Sequence, residues 1–122
     1  MGQIGPDKGV KYLIEAWSKL NYKDVVLTLA GSQSPHLIHM IRQYKKGNYN
    51  ILGYVKKLDE FFKSISLYVQ PSVTEGFGIE ILESMTYGRP VIASDGAGGA
   101  DCLHSSCKIF ERRNVNQLAE FI

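Results

Sequence analysis

The chain has 122 residues, 44% of them apolar and 21% charged, with a formal net charge of +2. That is enough for one domain with a core but not for two, and the apolar share excludes a disordered or fibrous chain. No apolar run reaches the roughly 20 residues of a spanning helix, and the opening Met1-Gly2-Gln3-Ile4-Gly5-Pro6 lacks the basic and apolar regions of a signal peptide.

Residues 1–4 read as the last residues of a strand whose beginning is absent. Residues 9–20 read as a helix with Val10, Leu13, Ile14 and Trp17 on one face. Residues 24–30 are β-rich and end at Gly31. A second amphipathic helix spans 35–46, with Leu37, Ile38, Ile41 and Tyr44 on one side and a stop near Gly47. A short strand at 50–52 precedes Gly53, and Asp59 is expected to cap a helix over 60–65. Residues 66–70, Ser-Leu-Tyr-Val-Gln, read as a strand, and a helix follows with Ile79, Leu82 and Met85 on one side. Gly88-Arg89-Pro90 ends that helix, 91–94 is a strand, Gly96 to Gly99 is a glycine loop, 108–110 is the last strand, and 115–122 begins a helix.

Alternating helices and continuously apolar strands imply an α/β fold: a doubly wound, Rossmann-like domain with a mostly parallel sheet covered on both faces. Ligands bind such sheets beyond the carboxyl ends of the strands. Gly5, Gly31, Gly53, Gly76, Gly78 and Gly96 to Gly99 all follow strands, so they share one rim. Residues 1–122 form one domain, without an internal repeat or linker.

The richest stretch on that rim is Pro71-Ser72-Val73-Thr74-Glu75-Gly76-Phe77-Gly78-Ile79-Glu80-Ile81-Leu82-Glu83. A strand, a glycine turn and a helix start present free amides to an anion. Glu75 lies in the turn and Glu83 eight residues on, so carboxylates stand ready for hydroxyl groups. Spacing alone leaves alternatives open. Glu75 also suits a helix start through the macrodipole, and Glu83 shares its helix face with Glu80. Lys8 in a first turn is unfavourable unless an anion is near. Tyr54 also reads as an ordinary rim residue, and Phe77 as a packing anchor.

Other clusters carry less. Lys45-Lys46 and Lys56-Lys57 read as solvated ends, and a nucleic-acid footprint needs a denser stripe. Cys102 and Cys107 fit no zinc spacing and read as reduced thiols in a cytoplasmic protein. His36 and His39 have no third ligand after them, so no metal is expected.

The ordered series Gly-x5-Lys-Gly, Leu-Ile-Glu-Ala-Trp, Leu-Ala-Gly, Leu-Gly-Tyr-Val, Gln-Pro-Ser, Glu-Gly-Phe-Gly, Leu-Glu-Ser-Met and Gly-Arg-Pro-Val-Ile-Ala-Ser covers nearly the whole chain. It resembles the C-terminal, donor-binding domain of group-one retaining glycosyltransferases of the GT-B fold. The resemblance implies a parent enzyme that transfers a sugar from a nucleoside diphosphate sugar to an acceptor in glycan, glycolipid or polysaccharide synthesis. It implies that Glu75, first of the Glu-x7-Glu pair, meets the donor sugar as the catalytic carboxylate, and that Glu83 accepts from the ribose hydroxyls. Amides of Gly76, Phe77, Gly78 and Ile79 face the sugar and diphosphate, with Ser72 as a further donor-site candidate. Lys8 pairs with the diphosphate, and Gly53, Tyr54 and Val55 lie along the base. It also implies no cofactor and no metal, and an acceptor glycan or lipid held by a missing N-terminal domain. The expected location is cytoplasmic, including peripheral association with the cytoplasmic face of a membrane. The domain alone is expected to be inactive.

Three departures stand out. Gln3 occupies the position where the family places an arginine, Ala100-Asp101 follows Gly98-Gly99 where the family has proline and glutamate, and no glycine precedes the last strand. The alternatives to a transferase are a nucleotide-sugar epimerase-type domain of the same fold and a non-catalytic nucleotide-binding module. Gly-Phe-Gly-Ile after Glu75 favours the transferase; Gln3 favours the non-catalytic module.

Overall fold

A computed structural model describes residues 4–32, 34–44, 47–103 and 107–122. A 3-10 turn (Pro6–Lys8) leads through Gly9 into α1 (Val10–Lys19), then β1 (Leu27–Ala30), α2 (Pro35–Gln43) and β2 (Tyr49–Leu52). Next come α3 (Leu58–Ser64), β3 (Tyr68–Gln70), α4 (Ile79–Thr86), β4 (Val91–Ser94), a 3-10 turn (Gly98–Cys102), β5 (Lys108–Phe110) and α5 (Val115–Phe121). All pairings are parallel. β1 pairs with β2, and β3, β4 and β5 pair in that order.

β4 shows why the sheet is covered twice. All four of its residues are buried, and side chains alternate across a strand. Val91 and Ala93 pack with Phe61 and Phe62 of α3 and Ile81 of α4. Ile92 faces the other way, onto Leu13 and Ile14 of α1 and Leu118 of α5. Helices therefore lie on both faces, as the unbroken apolar reading of residues 91–93 requires. Phe62 centres the first cluster, edge-on to Phe61 and Tyr68 and stacked on Tyr87 at 5.7 Å. Arg89 donates from Nε to the Phe62 carbonyl and from a terminal nitrogen to the Lys63 carbonyl, both at 2.9 Å. It thereby satisfies orphan carbonyls at the end of α3.

Several local expectations shift. Among the described residues the strands form two parallel ladders, β1–β2 and β3–β4–β5. A cleft of about 520 Å³ is lined by residues of both β1 and β3, with Ile4, Lys8 and Trp17 among its walls. Of the strand expected at residues 1–4, Met1, Gly2 and Gln3 lie outside the described residues. β1 starts at Leu27, opposite Tyr49. Val25 and Val26 remain 47% and 53% exposed, and the Asn48 amide donates to the Lys23 and Val25 carbonyls ahead of the strand. α3 starts two residues earlier than expected, with Lys57 as its N-cap. Asp59 lies inside the first turn, with its carboxylate 3.7 Å from Lys63 Nζ. The second helix ends its regular part at Gln43, and Lys45 and Lys46 lie outside the described residues. Among the described residues no helix is long and apolar enough to cross a membrane.

Candidate active site at the carboxyl rim

The strand ends converge on one rim. Ala30 at the end of β1 and Val55 just after β2 pack against the cluster that holds Ala97 and Ala100, beyond β4. Gly31 donates to the Gly53 carbonyl at 3.2 Å, joining the exits of β1 and β2.

The segment after β3 is held from two sides. Val73 and Thr74 donate from their amides to the Asp7 carbonyl at 2.8 and 3.4 Å, which draws the Pro6–Lys8 turn over the strand exit. Gly9 makes this approach feasible. Its φ is +65°, and a Cβ there would sit 1.8 Å from the Pro71 carbonyl oxygen. On the other side, Glu75 donates to the Gly96 carbonyl, Gly98 to Gly76 and Gly99 to Phe77, at 3.1, 2.9 and 2.6 Å. A Cβ on Gly98 or Gly99 would lie 2.3 or 2.4 Å from those carbonyl oxygens. The two glycine loops are thus zipped together, backbone to backbone. Arg112 adds a clamp: its amide and Nε donate to Asp95 Oδ1 at 2.9 and 3.0 Å, and its guanidinium reaches the Val73 carbonyl at 3.3 Å. The backbone bond from Arg112, then its side chain, outweigh burial and hold the Asp95 carboxyl below its ordinary range.

This frame suspends Lys8 over Glu75. Lys8 Nζ donates to Glu75 Oε2 at 2.5 Å, and the glutamate side chain is 18% exposed. Ser72 Oγ and Gln70 Nε2 donate to the same oxygen, each at 3.2 Å. Burial pushes the Glu75 carboxyl upward, but the hydrogen bond and charge of Lys8 and the Ser72 hydroxyl outweigh it, so the net shift is down. Ser72 is fully buried, so it supports Glu75 rather than lining the open rim. Lys8 and Glu75, expected on different parts of a ligand, neutralise each other in this structure.

A pH dependence follows. The folded carboxyl lies below its ordinary value of 4.5, so the ionised form stabilises the fold. That contribution is complete above the ordinary value and is lost as the pH falls through the lowered one. Thermal melts taken below about pH 4.5 should therefore fall more steeply for the wild type than for Glu75→Gln. The Asp95 contribution stays common to both. Parallel acid limbs would show that the Lys8–Glu75 pair adds nothing to stability.

The start of α4 is open. Gly78 is its N-cap, at φ +72°, with no side chain capping it. Among the described residues the amides of Gly76, Phe77, Gly78 and Ile79 make no hydrogen bond. Gly76, Phe77 and Ile79 are exposed, and a Cβ on Gly76 would touch nothing within 4 Å. Glu83 is half-buried, and its carboxylate has no hydrogen bond or ion pair among the described residues. Burial first, then the charges of Glu80, Glu75 and Glu83, raise the Tyr68 hydroxyl. On the far part of the rim Gly53 is exposed with open space around it, Tyr54 is 76% exposed, and Val55 is tucked against the core. Gln3 lies outside the described residues. Asp101 is exposed in the 3-10 turn Gly98–Cys102. Among the described residues no three His, Cys, Asp or Glu side chains gather as metal ligands. Cys102 and Cys107 are unpaired.

Sequence reasoning did not single out Gln70, Tyr68, Asp95 or Arg112. The signal for Gln70 was present: a polar residue ending a strand whose neighbours are apolar.

The profile of a family described as glycosyl transferases group 1 matches residues 1–122. An O-antigen biosynthesis glycosyltransferase of Escherichia coli, WclY, is 24% identical over 94% of this chain and 33% of its own length. The glycosyltransferase MJ1607 of Methanocaldococcus jannaschii is 36% identical over 80% of this chain and 27% of its own. The chain thus spans about a third of the length of the curated relatives it matches. Anabaena HepE, crystallised with UDP-glucose, superposes with a TM-score of 0.85 at 22% identity, over 98% of this chain and 36% of that one. That likeness shows a shared fold, the GT-B glycosyltransferase domain. On the match across its whole length, the chain belongs to the group 1 glycosyltransferases.

Proposed function

We propose that this rim binds a nucleoside diphosphate sugar and that the chain is the donor-binding domain of a retaining glycosyltransferase. The observation that carries the reading is the Lys8–Glu75 pair beside the unbonded amides at the start of α4. A diphosphate takes Lys8 and those amides, which frees the Glu75 carboxylate to face the sugar. Glu83 accepts from the ribose, and Gly53, Tyr54 and Val55 border the base. HepE holds UDP-glucose on the same fold.

The reaction breaks the bond between the anomeric carbon and the diphosphate oxygen. Positive charge grows on the carbon and negative charge on the departing diphosphate. Lysine and fixed amides aimed at the diphosphate stabilise this separation more than the ground state, and they do so without a metal. The acceptor hydroxyl adds on the face that the phosphate leaves and gives its proton to the departing diphosphate oxygen, so configuration is retained. Directed transfer needs the acceptor within about 3–3.5 Å of the anomeric carbon in a water-poor cleft. This domain supplies one wall of that cleft, so it binds donor without transferring it. A second domain would bring the acceptor, a glycan or lipid at the cytoplasmic face of a membrane.

Titration of the 15N-labelled chain with UDP, GDP and ADP tests the reading. Amide shifts should appear at Lys8, at Gly53 to Val55 and from Gly76 to Glu83, and the nucleotide with the largest shifts names the base. Shifts confined to the opposite rim, or none with any nucleotide, would refute it.

A further inference from the structure

The mechanism above uses Glu75 but not the groups beneath it. Gln70, at the end of β3, is 3% exposed, and every polar hydrogen of its side chain is engaged. Its Nε2 donates to Ser72 Oγ at 2.8 Å and to Glu75 Oε2 at 3.2 Å, while its Oε1 accepts from the Tyr68 hydroxyl at 2.5 Å. Ser72 Oγ passes its own hydrogen to Glu75 Oε2, and Ser94 Oγ donates to the Ser72 carbonyl and holds that residue in place. The direction of this relay is determined at both ends. Glu75 is ionised and can only accept, so the amide must present nitrogen to it. Tyr68 is buried and its hydroxyl is pushed far above its ordinary range, so it remains a donor toward the amide oxygen.

All the donors land on one atom. Lys8, Gln70 and Ser72 converge on Oε2, and among the described residues none reaches Oε1. We infer that Gln70 is the positioning residue of this site: bridging the Tyr68 hydroxyl and Glu75 Oε2, it fixes the rotation of the carboxylate so that Oε1 is the oxygen offered to a bound ligand. When a diphosphate draws Lys8 away, Oε2 keeps the Gln70 and Ser72 bonds, and Oε1 stays aimed without a cation. This rests on the proposed role of Glu75 toward the donor sugar. The geometric claim, that Gln70 orients Glu75, stands apart from it.

Two variants test it. Gln70→Met keeps the volume but strands the buried Tyr68 hydroxyl, which is costly to folding. The double variant Tyr68→Phe with Gln70→Met removes both polar partners and should restore stability. The Glu75 carboxyl is followed by 13C NMR titration in wild type and variants, and binding of UDP-glucose and of UDP is measured by calorimetry. In both variants the Glu75 titration should move up, toward the ordinary carboxylate range. UDP-glucose affinity should fall roughly tenfold, with UDP affinity unchanged. A Glu75 titration identical to wild type in the well-folded double variant would overturn the inference. A shifted titration with no difference between UDP-glucose and UDP in the wild type would uphold the positioning and refute the donor-sugar role instead.

Discussion

Glu75→Gln is expected to lower sugar transfer by the full-length protein on the order of 10²-fold or more, while UDP or GDP affinity stays the same or tightens. The substitution keeps shape and removes charge. In the proposed role of Glu75, it takes the negative charge away from the sugar side of the site, where positive charge would grow as the glycosyl–phosphate bond breaks. It also releases Lys8, which Glu75 Oε2 holds at 2.5 Å, so a diphosphate no longer competes with a carboxylate for that ammonium. Glu83→Gln should behave in the opposite way. Among the described residues its carboxylate is unengaged on α4, and its proposed partner is the ribose, which every donor and product carries. Loss of a charge-assisted hydrogen bond there should weaken nucleotide binding by about 1.5–3 kcal/mol, roughly 10- to 100-fold. Calorimetry with UDP and GDP on both variants, beside a transfer assay of the longer protein, separates the roles. Equal loss of nucleotide affinity in both would show that the division between sugar and ribose is wrong.

Gly9→Ala should be among the most destabilising single-methyl changes in the chain, by about 2–5 kcal/mol. The left-handed conformation at φ +65° costs an ordinary residue about 1–2 kcal/mol, and forcing a methyl group 1.8 Å from the Pro71 oxygen adds about 1–3 kcal/mol of overpacking. Against a typical total of about 5–15 kcal/mol, that is a large share. Because Gly9 carries the Pro6–Lys8 turn onto the strand exit, the same change should pull Lys8 away from Glu75 and weaken nucleotide binding in whatever protein remains folded. Gly53→Ala is the control. It lies on the same rim, but its Cβ meets nothing within 4 Å, so its effect should stay within about 0.5 kcal/mol. Urea unfolding of the two variants gives the comparison, and equal midpoints would show that the turn yields to the methyl group at little cost.

What the sequence determined by itself was the class of fold, the order of elements and the rim. Periodicity suffices for these because it is local. Residues 91–94 and 108–110 read as strands and form β4 and β5. The run Glu75-Gly76-Phe77-Gly78 before an apolar helix face announces a glycine turn into a helix start in its own letters, and α4 begins there. Only the tertiary structure decided what meets what. Lys8 and Glu75 are 67 positions apart, and no spacing rule relates them; the Asp7 carbonyl and the bare Cα of Gly9 bring them together. Ser72 looked like a rim residue from its place beside the loop, yet folding buries it and turns its hydroxyl onto Glu75. Val25 and Val26 had the composition of strand, but a strand exists only where a partner offers its ladder; the ladder with β2 begins at Leu27, and the Asn48 side chain takes the Lys23 and Val25 carbonyls instead. Gln70 looked like the tail of an apolar strand and became the bridge between a buried phenol and the site carboxylate. A buried polar group takes its role from the partners it can reach, and those partners are assembled only when the chain has folded.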